Sequence, residues 1–183
     1  MKKISQFSKR ARIATGGAVL AAVAAGTFGT VSASAAPAAA PMANVQESST
    51  TTSTHLTIDA ATKAAQAALD AAKKDNQRVS VAVVDRNGNT IVTLRGDGAG
   101  PQSYESAVKK AYTAVSWNAP TSELAKRLTN APTLKDIPGT LFLAGGAPVT
   151  AKNAPIAGVG VAGAPSGDLD EKFAQAGVAA LNK

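Results

Sequence analysis

The stretch that most constrains the fold is residues 139–181, in which apolar segments flank a glycine- and proline-containing loop and a helical pattern follows. Within it, Gly158, Gly160 and Gly163 match the G-x-G-x-x-G spacing of dinucleotide-binding loops, whose backbone amides hold a pyrophosphate at a helix N-terminus. Here Pro165-Ser166-Gly167 separates the last glycine from the helix, which that fingerprint does not allow. The glycines therefore indicate close packing of a strand, and a dinucleotide fold is disfavoured.

The first 35 residues have the pattern of an export signal. Basic residues precede an apolar run over residues 13–31, and Ala33-Ser34-Ala35 follows, which predicts cleavage after Ala35. A membrane anchor is disfavoured because the run is rich in Ala, Gly and Thr and lacks a basic flank on its far side. Lys9-Arg10 resembles a degenerate twin-arginine motif, so the export route stays open. We expect a secreted protein with no membrane insertion after cleavage.

The net charge of the chain is +7, from 19 basic and 12 acidic residues. Cleavage after Ala35 removes five basic residues and no acidic ones, which leaves 14 against 12 and a charge of +2. Clustered cations interleaved with aromatic side chains are typical of nucleic-acid-binding proteins, and the sequence lacks them. We therefore expect no nucleic-acid partner.

The sequence has no cysteine, which excludes thiolate metal sites and thiol nucleophiles.

Two segments follow the export signal. Residues 36–54 are rich in Pro, Ala, Ser and Thr and poor in bulky apolar side chains, which predicts a disordered leader. Residues 55–183, about 130 residues, are long enough for a single hydrophobic core and too short for two. We expect one folded domain.

The apolar periodicity predicts the elements of that domain. A helix capped by Thr57 is followed by alternating valines, an Asn87-Gly88 turn and a second strand over residues 90–94, which together indicate a hairpin. Further helices are predicted over residues 103–117 and 121–130, the latter capped by Thr121. Strands are predicted near residues 140–143, 149–151 and 155–161, and a last helix reaches Leu181. The order α-β-β-α-α-β-β-β-α predicts a profilin-like α/β fold, an antiparallel sheet flanked by helices.

The second helix has two predicted faces. Projection at 100° per residue gives a buried face of Tyr104, Ala107, Val108, Ala111 and Val115. The opposite face carries Ser106, Lys109, Lys110, Thr113 and Trp117. Lysines beside a flat aromatic ring suit an anionic planar ligand, although a solvated or subunit-contacting face explains the same pattern. A serine–lysine nucleophilic pair on this face fits the spacing too, but such pairs are common on solvated helices.

Metal ligands and catalytic bases are scarce. The only histidine, His55, lies where the leader meets the first helix, and we expect it to be solvated. Asp168, Asp170 and Glu171 could hold iron at the surface, but a capping role at the start of the last helix explains them. No histidine is embedded in the domain to activate a serine as a base. The sequence therefore predicts no dedicated catalytic apparatus.

Several segments resemble the GlcG/HbpS family in their order and spacing. They are Val-Ala-Val-Val-Asp at 81–85, the turn at 87–89, Lys-Ala-Tyr-Thr-Ala at 110–114, Gly-Gly-Ala-Pro-Val at 145–149, and residues 156–163 followed by Asp168-x-Asp170. The set spans the whole folded region. With its export signal, the chain is similar to the secreted HbpS-type branch of that family.

The resemblance implies a profilin-like fold in a ring-stacked homo-oligomer, an octamer, that binds haem and promotes haem degradation with capture of the iron. It also implies an extracellular sensing role beside a two-component histidine kinase. By position, Thr113 is the residue expected to face the haem iron, and Lys109 and Lys110 are expected propionate contacts. Because a neutral hydroxyl is a weak iron ligand, we expect reversible binding, with any degradation driven by the iron's redox chemistry.

Two functions of other classes stay open. A GlcG-like enzyme or auxiliary factor would act on another small molecule through the glycine-rich loops, without haem. A structural or interaction module would use the alanine-rich helix faces for oligomer contacts. Turnover by a haem-free preparation would favour the enzyme, and indifference to haem would favour either alternative over the haem-binding protein.

Overall fold

The computed structural model describes residues 44–182 of the chain, so the predicted export signal and the leader before Asn44 lie outside the described residues. Residues 44–55 are exposed and contain one 3-10 turn, Glu47–Ser49. The elements that follow are α1 (Ile58–Lys74), β1 (Ser80–Asp85), β2 (Thr90–Arg95), α2 (Pro101–Trp117), α3 (Thr121–Arg127), β3 (Gly146–Ala151), β4 (Ala154–Ala162) and α4 (Gly167–Ala179). Further 3-10 turns span Pro132–Asp136 and Ala180–Asn182.

The four strands form one antiparallel sheet in the order β2-β1-β4-β3. Side chains alternate along the central strand β1, so Val81 and Val83 join α1 and α4 in the main core. Ala82 and Val84 face the other way and pack against α2. The sheet is thus covered by α1 and α4 on one face and by α2 on the other. The predicted antiparallel sheet flanked by helices is confirmed.

Helix α1 begins as the sequence predicts. The Thr57 hydroxyl accepts a hydrogen bond from the Ala60 amide at 3.2 Å, which satisfies one of the free N–H groups of the first turn. Four alanines at helical spacing are fully buried, namely Ala61, Ala65, Ala68 and Ala72. Ile58, which shares their spacing, is 57% exposed.

The predicted strand over residues 140–143 is wrong, and the sheet has four strands where five were expected. The Leu141 amide donates to the Thr113 hydroxyl at 2.8 Å, so a side chain of α2 takes the place of a strand partner. Phe142 is buried beside Leu124 and makes an edge-to-face contact with Trp117 at 5.2 Å between ring centroids. The segment folds over α2 because its apolar side chains fill a small second cluster there.

The glycines that resemble a phosphate loop lie in and after a strand. Gly158 and Gly160 are in the middle of β4, on the side that faces α2. A Cβ at Gly158 would overlap the Ala111 carbonyl oxygen, and one at Gly160 would overlap the Ala107 carbonyl oxygen. The close-packing interpretation is therefore confirmed, and the partner is the backbone of a helix.

Candidate functional site

Helix α2 carries all three residues predicted to contact haem, namely Thr113, which the resemblance assigns to the iron, and the proposed propionate contacts Lys109 and Lys110. The polar face predicted opposite the buried one is not solvated throughout, because Lys110 is 5% exposed and Thr113 is fully buried. Lys109 is partly exposed and pairs with Glu105, one turn earlier, at 2.7 Å. The helix is enclosed on a second side by residues 141–146 and by α4, so it buries more than the face that packs on the sheet. A projection of one helix cannot reveal that second side.

The predicted buried face of α2 is mostly confirmed. Ala107, Ala111 and Val115 are buried against the sheet. Tyr104, by contrast, is 50% exposed, although Ser103 beside it is buried. Trp117 packs against Phe142, so its ring serves this contact and does not stand free beside the lysines.

Lys110 is held in a buried ion pair that links α2 to α4. Its ammonium donates to Asp170 Oδ2 at 2.8 Å and to the Val161 carbonyl at 3.1 Å, and both charged side chains are about 95% buried. Asp170 also accepts from the Ala164 amide at 3.0 Å. Burial raises the pKa of the Asp170 carboxyl, and the hydrogen bond and charge of Lys110 only partly oppose that effect. The pair therefore fixes the position of α2 relative to α4.

Neither the possible surface iron site of Asp168, Asp170 and Glu171 nor their preferred capping role is found in the structure. Asp170 and Glu171 are buried, whereas Asp168 is exposed. The helix is capped by Ser166, whose hydroxyl accepts from the Leu169 amide at 3.3 Å. Within residues 44–182, no group of three or more histidine, cysteine or acidic side chains is arranged to hold a metal ion.

Glu171 has a role that the sequence did not indicate. Its carboxylate accepts from the Ser122 amide at 2.9 Å, from the Ser122 hydroxyl at 2.5 Å and from the Gly145 amide at 3.3 Å. The prediction that Thr121 caps α3 is wrong, because its hydroxyl accepts from the Gly146 amide at 2.7 Å while Pro120 holds the cap position. A carboxylate from α4 thus supplies the negative charge at the start of α3. A signal for this contact is missing from the local sequence because 49 residues separate Glu171 from Ser122.

Thr113 is a structural hydroxyl in this conformation. Its Oγ1 donates to the Lys109 carbonyl at 2.7 Å and accepts from the Leu141 amide at 2.8 Å. Because the side chain has no exposed surface, an iron atom reaches this oxygen only if residues 140–143 move away from α2. In the described conformation, Thr113 does not fit the role of a haem ligand.

A model of the HbpS-like family, described as haem-degrading proteins, matches residues 56–179. The chain belongs to the HbpS-like family. A crystal structure of Streptomyces reticuli HbpS, a double mutant with two glutamates replaced by aspartate, is 77% identical to this HbpS-like chain with a TM-score of 0.75. The match covers 78% of this chain and 97% of the mutant.

More distant structures share the HbpS-like fold. Klebsiella pneumoniae protein ORFY is 26% identical with a TM-score of 0.68, over 76% of this chain and 98% of ORFY. PduOC, solved in complex with haem, is 28% identical with a TM-score of 0.65, over 70% of this chain and 96% of PduOC. No curated protein sequence matches the chain significantly.

A cleft of about 400 Å³ in the HbpS-like domain reaches the buried ion pair. Its wall includes Leu143, which is 57% exposed, together with the loop before α4. A ligand carboxylate approaching Lys110 through this cleft would also meet the carboxylates of Asp168 and Asp170, which line it. The negative charge of this wall makes Lys110 a poor propionate contact in the described conformation.

His55, the one histidine of the sequence, lies in the part of the HbpS-like chain that the structure describes. It is exposed, as expected, and its Nε2 lies 2.6 Å from the Ser53 hydroxyl oxygen. Imidazole is a common axial ligand of haem, whereas a neutral hydroxyl is a weak one.

Among the helices of residues 44–182, none is both long and apolar enough to cross a membrane.

Proposed function

We propose that this protein is a secreted haem-binding protein that promotes haem degradation with capture of the iron. The observation that carries the proposal is the family match over residues 56–179, whose description is haem degradation. PduOC, a relative with the same fold, has been solved with haem. Secretion is supported by residues 1–35, in which basic residues precede an apolar run and small residues follow at the predicted cleavage site. When bound, haem would supply the redox chemistry, and the protein would hold and orient it.

Two side chains are alternatives for the axial ligand. The resemblance assigns the iron to Thr113, and we retain that assignment for an open conformation in which residues 140–143 have left α2. In the conformation described here, the His55 imidazole is exposed, and its Nε2 is hydrogen-bonded to Ser53 Oγ. Lys109 and Lys110 stay proposed propionate contacts, with Lys109 the accessible one of the two.

A haemin titration followed by the Soret band tests both haem binding and the ligand. We expect the chain from Ala36 onward to give a saturable shift, with affinity about tenfold or more weaker in His55→Ala if the imidazole binds iron. Thr113→Val removes the hydroxyl while keeping the side-chain shape, and it weakens binding instead if the open conformation holds haem. Ser116→Ala, on the same helix but exposed, is the matched control. The absence of a saturable shift in the unmodified chain would refute haem binding and favour the small-molecule or structural function.

The secreted form and its assembly have a joint test. We propose that the mature protein is an octamer, as the resemblance implies, and that it acts beside the extracellular part of a sensor histidine kinase. Protein recovered from the culture medium is then expected to begin at Ala36 on N-terminal sequencing and to have the mass of eight chains by light scattering. An intact N-terminus would contradict export by cleavage, and the mass of a single chain would contradict the ring. The kinase partnership rests on the resemblance alone, and it fails if the added protein leaves the kinase's autophosphorylation unchanged.

A further inference from the structure

A second cleft shares no lining residue with the cleft at the buried ion pair and none with the residues predicted to contact haem. Its volume is about 340 Å³, and it is formed by the C-terminal end of α1 and the segments that flank β1 and β2. Its lining residues are Leu69, Lys73, Asn76, Gln77, Arg78, Gly96 and Asp97. This volume is within the range of small-molecule sites in proteins.

The three charged side chains of this cleft have no partner within the molecule. Lys73, Arg78 and Asp97 make no side-chain hydrogen bond or ion pair with any other part of residues 44–182. The nearby Asp75, by contrast, forms an ion pair with Lys172 at 2.8 Å. Two cations and one carboxylate are therefore available to a ligand that enters the cleft.

The backbone around the cleft makes room for these groups. Gly98, with φ +74°, lies under Arg78, and a Cβ there would be 3.0 Å from Arg78 Cδ and 3.4 Å from Nε. A Cβ on Gly96 would be 3.1 Å from Leu69 Cδ1 and 2.9 Å from the Val79 carbonyl oxygen. Gly96 thus lets the loop pack closely on Leu69 and β1, and Gly98 lets the Arg78 side chain lie against the loop. A positioned guanidinium suits bidentate recognition of a carboxylate.

We infer that this cleft binds a small amino dicarboxylate, an acidic amino acid being the simplest member of the class. The two carboxylates of such a ligand match Lys73 and Arg78, and its ammonium group matches Asp97. Its short aliphatic part contacts Leu69 at the floor of the cleft. A plain dicarboxylate would also pair with Lys73 and Arg78, but it has no ammonium group to offset the repulsion between its carboxylates and Asp97.

Equilibrium dialysis of the full chain with radiolabelled L-glutamate tests the inference, with succinate as the dicarboxylate that lacks an ammonium group. We expect a dissociation constant of about 1 mM for glutamate, because the charges of an open cleft are screened by water and salt. Arg78→Ala is expected to weaken binding about tenfold. Arg86→Ala, which removes the same charge from the exposed hairpin turn, is expected to leave binding unchanged.

Asp97→Asn distinguishes recognition of the ammonium group from general attraction of anions. It is expected to weaken glutamate binding and to strengthen succinate binding, because it removes an attraction in one case and a repulsion in the other. Undetectable glutamate binding overturns the inference, and so does an equal loss in Arg78→Ala and Arg86→Ala. Tighter binding of both ligands to Asp97→Asn would identify a site for plain dianions and would also overturn it.

Discussion

Asp170→Ala is expected to lower the free energy of unfolding by about 3–5 kcal/mol, because it leaves the ammonium of Lys110 buried without its counter-charge. Lys110 has one other hydrogen-bond partner, the Val161 carbonyl, which cannot neutralise it. The variant also removes the acceptor of the Ala164 amide. Urea unfolding followed by circular dichroism measures the change. The total free energy of unfolding of a domain of this size is only about 5–15 kcal/mol, so we expect part of the Asp170→Ala population to be unfolded at ambient temperature.

The adjacent lysine supplies the matched control. Lys109 pairs with Glu105 at the surface, where the two side chains are 40% and 75% exposed, so Lys109→Ala is expected to cost about 0.5 kcal/mol or less. Replacing both buried partners, as Lys110→Met with Asp170→Leu, is expected to return the stability to within about 2 kcal/mol of the unmodified protein. Equal losses in the two single variants Asp170→Ala and Lys109→Ala would show that the buried pair has no special role.

The pKa of Asp170 sets the sign of a pH effect. Because burial raises this pKa in the folded protein, the folded state holds the proton more tightly than the unfolded chain does. The contribution of Asp170 to stability is therefore greatest in acid and declines as pH rises from the unfolded pKa through the folded one. The free energy of unfolding of the unmodified protein minus that of Asp170→Asn is expected to fall as pH rises through this range. A difference that grew with pH would indicate that the ammonium of Lys110 lowers the pKa of Asp170 by more than burial raises it.

Gly160→Ala is expected to lower the free energy of unfolding by about 3 kcal/mol or more, the upper end of the range for an overfilled core. The added methyl group would overlap the Ala107 carbonyl oxygen and come within 2.5 Å of the Ala111 amide nitrogen. Both atoms belong to the backbone of α2, so the whole helix must move away from β4 to make room. That movement would also disturb the hydrogen bonds of Lys110 and Thr113, which hold neighbouring parts of the fold to α2.

Gly100→Ala is the control for this prediction. A Cβ at Gly100 would meet the end of the Gln102 side chain, which can rotate away, and its backbone does not require glycine. Gly100 precedes α2 as its cap, where alanine is only modestly worse, so we expect a loss of about 1 kcal/mol or less. Thermal unfolding of the two variants side by side gives the comparison. A similar change in both would mean that α2 tolerates displacement from β4.

Burial of Thr113 and Lys110 changes what haem binding requires of this domain. Both side chains use their polar atoms within the fold, so a haem group placed against them would have to displace residues 140–143 or break the pair with Asp170. An approach to His55 requires neither change. The variants at positions 55 and 113 therefore also report on whether binding opens the fold.

Elements with a strong local pattern were predictable from sequence. The Thr57 cap and the alanine spacing identified α1, and the Asn87-Gly88 turn between valine-rich segments identified the hairpin of β1 and β2. These signals are local, because capping bonds, positive φ angles and apolar periods depend on residues a few positions apart. The segment over residues 140–143 has an equally apolar pattern, but its partner is a helix, which its own composition does not encode.

The sequence by itself determined the kind of elements, their antiparallel arrangement and the family, because these follow from periodicity and from motifs in order along the chain. Only the tertiary structure decided that Lys110 is buried, that Glu171 caps α3 and that the Thr113 hydroxyl binds a loop. Each of these contacts joins residues between 28 and 60 positions apart. Burial of a single polar side chain without a partner is unfavourable. It becomes acceptable when a hydrogen-bond or charge partner from a distant segment of the chain satisfies that side chain.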